Sequence, residues 1–237
     1  MSDIIIELRD LTKQFGNAHI LRGVDLAIPR GSVVGLLGTN GSGKTTLIKC
    51  MLGLLRRNTG QSLLFGQDSW SLSPDIKARI GYVPQVISFF PWIRVRDLIR
   101  YTASFYPKWN DDLCQRMIRD WDIPADQRIS TLSVGQVQKT AILLAVGHDP
   151  DLLILDEPAA ALDPIARRQF LQLLIDLAAP GRRTVLFSTH LTTDLERVAD
   201  RVAVLKTGQV AWFGLLDDLK EQTHLNLEDS FLEMHHA

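Results

Sequence analysis

The stretch Gly38-Thr39-Asn40-Gly41-Ser42-Gly43-Lys44-Thr45-Thr46 concentrates more chemistry than any other part of this chain. Its spacing, G-x-x-x-x-G-K-[ST], puts glycines where the backbone must curl so that successive N–H groups turn inward, and a phosphate is what such a nest takes up. The apolar run Val33-Val34-Gly35-Leu36-Leu37 before it reads as a buried strand, and Leu47-Ile48-Lys49-Cys50-Met51-Leu52 after it reads as a helix. A helix N-terminus at that point adds partial positive charge. Lys44 can reach β- and γ-phosphates, and the Thr45 hydroxyl is placed to ligate Mg²⁺. A glycine-rich turn that merely starts a helix accounts for neither the full spacing nor both flanks. The stretch implies a nucleoside-triphosphate site.

Further along, Leu152-Leu153-Ile154-Leu155-Asp156-Glu157 is a buried strand ending in two carboxylates. Carboxylates belong at the C-terminal end of such a strand, where α/β sites form and an aspartate can hold Mg²⁺. Ile80–Gln85 reads as a strand that ends on an amide, and Thr184–His190 as one that ends on a histidine. Taken singly, a histidine there is more often structural than catalytic. Ser133, in Leu132-Ser133-Val134-Gly135-Gln136, is by itself a good N-cap for a helix over 137–147. Phe15 fits ordinary core and fits stacking on a purine equally well.

The elements that must position these residues alternate. Residues 4–8, 24–28 and 60–66 read as strands, and 202–206 with 209–213 as a hairpin around Gly208. Residues 94–106, 109–121 (capped by Asn110 or Asp111) and 165–178, opened by Pro164, have helical spacing. Strands alternating with helices after a phosphate loop imply an α/β fold, a mostly parallel sheet with helices on both faces, interrupted by a helical insert over about 86–148. The apolar-aromatic stretch Val86-Ile87-Ser88-Phe89-Phe90-Pro91-Trp92 falls in a loop; it either tucks into that insert or forms a protein-docking patch. At 237 residues and 46% apolar, the chain can build a substantial core. A net charge of -1 and a pI near 6.6 argue against a nucleic-acid partner. Cys50 and Cys114 are in no metal-like spacing and suit a reducing compartment. His235-His236 is too short a cluster for a metal site. The N-terminus lacks signal-peptide features and no apolar run nears the roughly 20 residues that span a bilayer. The expectation is a soluble chain that works at a membrane only through a partner.

The order of these motifs resembles an ABC transporter ATP-binding subunit, from about residue 4 to residue 214. It is similar to the cassettes that pair with separate export-type, ABC-2-like permeases, a likeness to which Phe105-Tyr106-Pro107-Lys108-Trp109 contributes. The resemblance implies a P-loop NTPase core with an N-terminal antiparallel β-subdomain (1–85 and 149–214), a helical subdomain carrying the signature motif (86–148) and a C-terminal helical tail (215–237). Phe15 is similar to the aromatic that stacks on adenine. Gly38, Asn40, Gly41, Ser42, Gly43, Lys44, Thr45 and Thr46 correspond to the ATP-binding loop. Gln85 resembles the glutamine that touches Mg²⁺ or water and senses the membrane partner. Leu132–Gln136 resembles the signature LSGGQ, in which Ser133, Gly135 and Gln136 would meet the ATP of the other subunit. Asp156 resembles the Mg²⁺ ligand, with Thr45 and Gln85; Glu157 the base that orients water; Leu162-Asp163 the end of the D-loop; and His190 the switch histidine. ATP and Mg²⁺ are the implied cofactors. A second cassette, identical or paralogous, and separate permease subunits are the implied partners, at the inner face of the cell membrane; nucleic acid is not. The alternatives are a soluble ABC-type ATPase and a regulatory cassette with little turnover. Two departures stand out: Pro158-Ala159-Ala160-Ala161 lacks the family's usual D-loop residues, and Val134 replaces the first signature glycine. A native valine predicts negative φ there, with its side chain packed beside the signature helix or at a dimer seam.

Overall fold

A computed structural model describes residues 3–178, 183–223, 227–229 and 231. The chain opens with a hairpin of two long strands, β1 (Ile4–Phe15) and β2 (Ala18–Pro29). The sequence pattern picks out only the parts of the two strands far from their turn, 4–8 and 24–28, because the hairpin is irregular: register shifts fall after Leu8 and Leu11, and Asp10 takes a φ of 46°. A bulge of this kind breaks the alternation that sequence reading depends on. β3 (Val33–Leu37) leads into α1 (Lys44–Met51), which begins inside the phosphate loop. β4 (Thr59–Leu64), β5 (Gln67–Asp68), α2 (Pro74–Lys77) and β6 (Ile80–Val83) follow. β6 stops two residues short of Gln85, which therefore stands beyond the strand rather than on its last residue.

Three helices come next: α3 (Val95–Ala103), α4 (Asp111–Asp120) and α5 (Val134–Val146). Asn110 caps α4, its Oδ1 accepting from the Leu113 N–H at 3.0 Å. Asp111 and Asp112 add negative charge to the first turn, where the helix dipole favours it. α5 starts three residues earlier than the apolar pattern predicts. The cause is a capping box: the Gln136 N–H donates to Ser133 Oγ at 3.2 Å, and the Ser133 N–H donates to Gln136 Oε1 at 2.9 Å. The chain returns through β7 (Leu152–Leu155), α6 (Pro164–Ala178), β8 (Thr184–Thr189), α7 (Thr192–Val198), β9 (Arg201–Lys206), β10 (Gln209–Leu215) and α8 (Leu216–Thr223). His235 and His236 lie outside the described residues.

The strands form two sheets, an antiparallel one ordered β2-β1-β4-β5 and a six-stranded one ordered β10-β9-β3-β8-β7-β6. In the second, every pair is parallel except β9 with β10. Both faces of this sheet are covered, so its strands are continuous apolar runs. Val33, Leu37, Leu153, Leu155, Val185 and Phe187 point into a core shared with α3–α7. The intervening Val34, Leu36, Leu152, Ile154 and Leu186 point into a second core shared with α1 and the antiparallel sheet. Each such side chain contributes about 1.5–3 kcal/mol of burial, so the strand ends that bear the polar residues are firmly held. No helix among the described residues is long and apolar enough to cross a membrane. Cys50 and Cys114 are free and buried, and burial pushes each thiol up to about 11, which keeps both protonated and inert.

Candidate active site

The parallel strands end together at one edge, and the residues just past their ends converge there. After β3 the loop turns on Gly43, which has a φ of 107° and so can start α1 where an L side chain would be strained. A hollow of about 410 Å³ opens above it, lined by Asn40, Gly41, Gly43, Lys44, Thr45, Thr46, Gln85 and Glu157, with Ile20 from β2. Every one of these except Ile20 is a candidate by sequence. Ile20 reaches the hollow from a distant strand, and no local motif marks it.

Lys44 is 6% exposed and folds back over the loop. Its ammonium donates to the carbonyls of Gly38 at 2.8 Å and Thr39 at 3.3 Å and stands 3.1 Å from Glu157 Oε1. The other carboxylate oxygen of Glu157, Oε2, is 3.0 Å from His190 Nδ1. Glu157 itself takes a φ of 50°, an uncommon conformation for a residue other than glycine, costing on the order of 1 kcal/mol. What holds it there is Ser188, a fully buried hydroxyl in the apolar strand β8. The Glu157 N–H donates to Ser188 Oγ at 2.8 Å, and Ser188 donates onward to Asp156 Oδ1 at 2.7 Å. One serine thus fixes both carboxylates. Sequence reading passes over it; its only signal is a polar residue inside an apolar strand, two positions before His190.

The polar atoms fit a divalent cation. Asp156 is fully buried, and its Oδ2 has no hydrogen-bond partner. Thr45 Oγ1 donates to Gln85 Oε1 at 3.2 Å, which brings two more oxygen donors together. An all-oxygen set of this kind suits Mg²⁺. Tyr82 is adjacent: burial, and then the charge of Asp156, push its phenol up to about 12, so it stays protonated.

Four candidates stand apart from this hollow. Phe15 ends β1 with half its surface exposed and Lys13 Nζ 4.8 Å from its ring centroid, so it is not core. Ser133, Gly135 and Gln136 form the first turn of α5 and line neither this hollow nor its neighbours. Gly135 packs so that a Cβ would come 3.2 Å from the Ala161 carbonyl oxygen. Val134 is helical with no positive φ, as its identity predicts, but it is 74% exposed and is not packed beside its own helix. The aromatic stretch divides: Ile87 and Phe89 pack on the core, whereas Phe90 and Trp92 are 51% and 69% exposed with ring centroids 5.3 Å apart.

A family model described as ABC transporter matches residues 21–160, well over half of the chain. The ABC transporter ATP-binding protein YtrB of Bacillus subtilis (strain 168) is 30% identical over 218 residues, covering 92% of this chain and 74% of the relative. The bacitracin transport ATP-binding protein BcrA of Bacillus licheniformis is 29% identical over 226 residues, 94% of this chain and 74% of that one. A solved ATP-binding subunit of an ABC transporter superposes with a TM-score of 0.87 at 27% identity, covering 97% of this chain and 99% of that one. Phosphate loop, paired carboxylates and signature turn thus sit on a matching sequence and a matching fold, and the chain belongs to the ABC transporter family, as one of its ATP-binding ATPase subunits.

Proposed function

We propose that this chain energises a membrane transporter through ATP binding and hydrolysis, and we assign the direction of transport as export. A second cassette completes each ATP site, and separate transmembrane subunits carry the substrate. The observation that carries this reading is Glu157, set at a strand end between Lys44 and His190 with its backbone pinned by Ser188. In this reading Lys44 and the loop amides of residues 38–46 hold the phosphates, and Phe15 stacks on adenine. Thr45, Gln85 and Asp156 would hold Mg²⁺, which would supply positive charge to offset that of the phosphates. Glu157 orients the attacking water and accepts its proton, while His190 holds the carboxylate in place. Little covalent chemistry falls to the protein, so positioning dominates. Ser133, Gly135 and Gln136 do not line the hollow over their own phosphate loop, which supports their acting on ATP held by a second cassette. ATP then favours the closed pair and hydrolysis releases it.

Residues 86–148 act as the lobe that carries this movement against the core of 1–85 and 149–214, and 215–237 are the C-terminal tail. Exposed Phe90 and Trp92, close to Gln85 in the chain, are the docking point for a helix of the transmembrane subunit at the inner face of the cell membrane. The export assignment rests on the likeness to cassettes with separate export-type permeases and on a relative named for bacitracin transport. The double variant Phe90→Ser/Trp92→Ser tests both halves. It should release phosphate from MgATP at the wild-type rate when purified, yet fail to co-purify with the membrane subunit. Absence of phosphate release from the wild-type chain as well would sink the ATPase mechanism, and normal co-purification of the variant would sink the docking site.

Val134 sits in helical backbone without strain, so the substituted signature leaves the site competent. Val134→Gly should alter the rate of phosphate release by less than about tenfold, or 1.4 kcal/mol. A much larger gain would mean that valine impairs this half of the site.

A further inference from the structure

Glu157 closes one end of a second hollow, of about 360 Å³, walled by Val86, Leu132, Val137 and Ala160. Besides Glu157, its polar lining is Gln85, which is exposed, and Gln138, which is buried. Gln138, on α5, is 5% exposed, and its amide nitrogen has no hydrogen-bond partner. Glu157 Oε1 is also buried without a hydrogen bond. The Lys44 ammonium lies 3.1 Å away, but its hydrogen bonds go to the carbonyls of Gly38 and Thr39. A buried amide donor with no partner and a buried carboxylate oxygen that faces only the Lys44 ammonium therefore lie on one mostly apolar space. Each such group disfavours the arrangement that leaves it unpaired.

The two groups sit on parts that the proposed cycle moves. Val134, Val137 and Gln138 all line this hollow, so they share one face of α5. Ser133 caps the same helix. Drawing the start of α5 toward a phosphate carries Gln138 with it. On the other side, ATP draws Lys44 off Glu157 and onto the phosphates, which leaves Oε1 a buried carboxylate oxygen with no counter-charge. We propose that Gln138 is a positioning residue whose side-chain amide donates to Glu157 Oε1 in the closed, ATP-bound state, taking the place that Lys44 vacates. Glu157 is then held through both oxygens, Oε1 by Gln138 and Oε2 by His190, and its plane is fixed only once the signature helix has engaged. The inference rests on the reading of Glu157 as the base.

The test is Gln138→Leu in the full chain, alone and combined with Glu157→Gln. Leucine is close in size and removes an unsatisfied polar group, so the thermal midpoint without nucleotide should hold or rise. ATP affinity and KM should stay within about twofold, while kcat falls by about 10–100-fold, since only the assembled state loses an interaction. In the Glu157→Gln background the leucine should lower the residual rate by less than about twofold, because the two changes act on one contact. An unchanged kcat in Gln138→Leu overturns the proposal. So does a fall in the thermal midpoint with kcat and KM both impaired, which would mean that the amide already has a partner in the empty chain. If Glu157→Gln alone keeps full turnover, the reading of the base fails first and this inference with it.

Discussion

Glu157→Gln is expected to stop turnover and leave ATP bound. Glutamine keeps the size of the side chain and tolerates the same backbone as glutamate, so the φ of 50° and the bond from the Glu157 N–H to Ser188 survive the change. What is lost is a carboxylate that can take a proton from water. General-base contributions run to about 10²–10⁴-fold, and phosphate release should fall by that much. In the proposed site, ATP is held by the loop amides and by Lys44, whose partner is then the phosphates rather than Glu157, so nucleotide affinity should persist. If hydrolysis is what opens the paired cassettes, the variant should also accumulate as an ATP-dependent dimer on size-exclusion chromatography. Phosphate release at the wild-type rate would falsify the assignment of Glu157 as base. Retained ATP binding without a dimer would spare the base and count against closure by a second cassette.

The parts of this site that could be read from sequence are those whose chemistry and strand end are adjacent in the chain. The phosphate loop follows β3 directly, and Asp156 and Glu157 follow β7 directly, so local pattern and local chemistry coincide. The same holds for the alternation of strands and helices, because strands covered on both faces are apolar throughout. What could not be read depends on residues far apart in sequence. Ser188 ties the two carboxylates together across β7 and β8, and nothing near it announces that task. Ile20 enters the hollow from the antiparallel sheet. The start of α5 was obscured for a different reason: Val134 and Gly135 are poor helix formers, and the capping box that recruits them depends on Ser133 and Gln136 acting as a pair. The aromatic loop was divisible only by packing, since Phe89 and Phe90 are neighbours of the same type with opposite environments.

Lys44→Ala should have the second large effect, and it separates two roles of one side chain. In the proposed ATP-bound site the lysine donates to the phosphates, and losing a hydrogen bond to a charged group should weaken affinity by about 10–100-fold. Turnover should fall further, by about 10²–10³-fold, because charge building up in the transition state loses a preorganised partner. Without ATP, the lysine stands 3.1 Å from Glu157 and donates to the Gly38 and Thr39 carbonyls. Alanine leaves a largely buried carboxylate facing only His190 on its other oxygen, so the thermal midpoint of the nucleotide-free chain should drop. Adding Glu157→Gln to Lys44→Ala removes that uncompensated charge and should restore much of the midpoint while leaving ATP affinity low. Fluorescent-nucleotide titration and thermal melts of the two single variants and the double variant measure both effects. Unchanged ATP affinity in Lys44→Ala would refute its place at the phosphates. A midpoint that the double variant does not recover would mean that the lysine's bonds to the two carbonyls, rather than its charge opposite Glu157, are what stabilise the empty site.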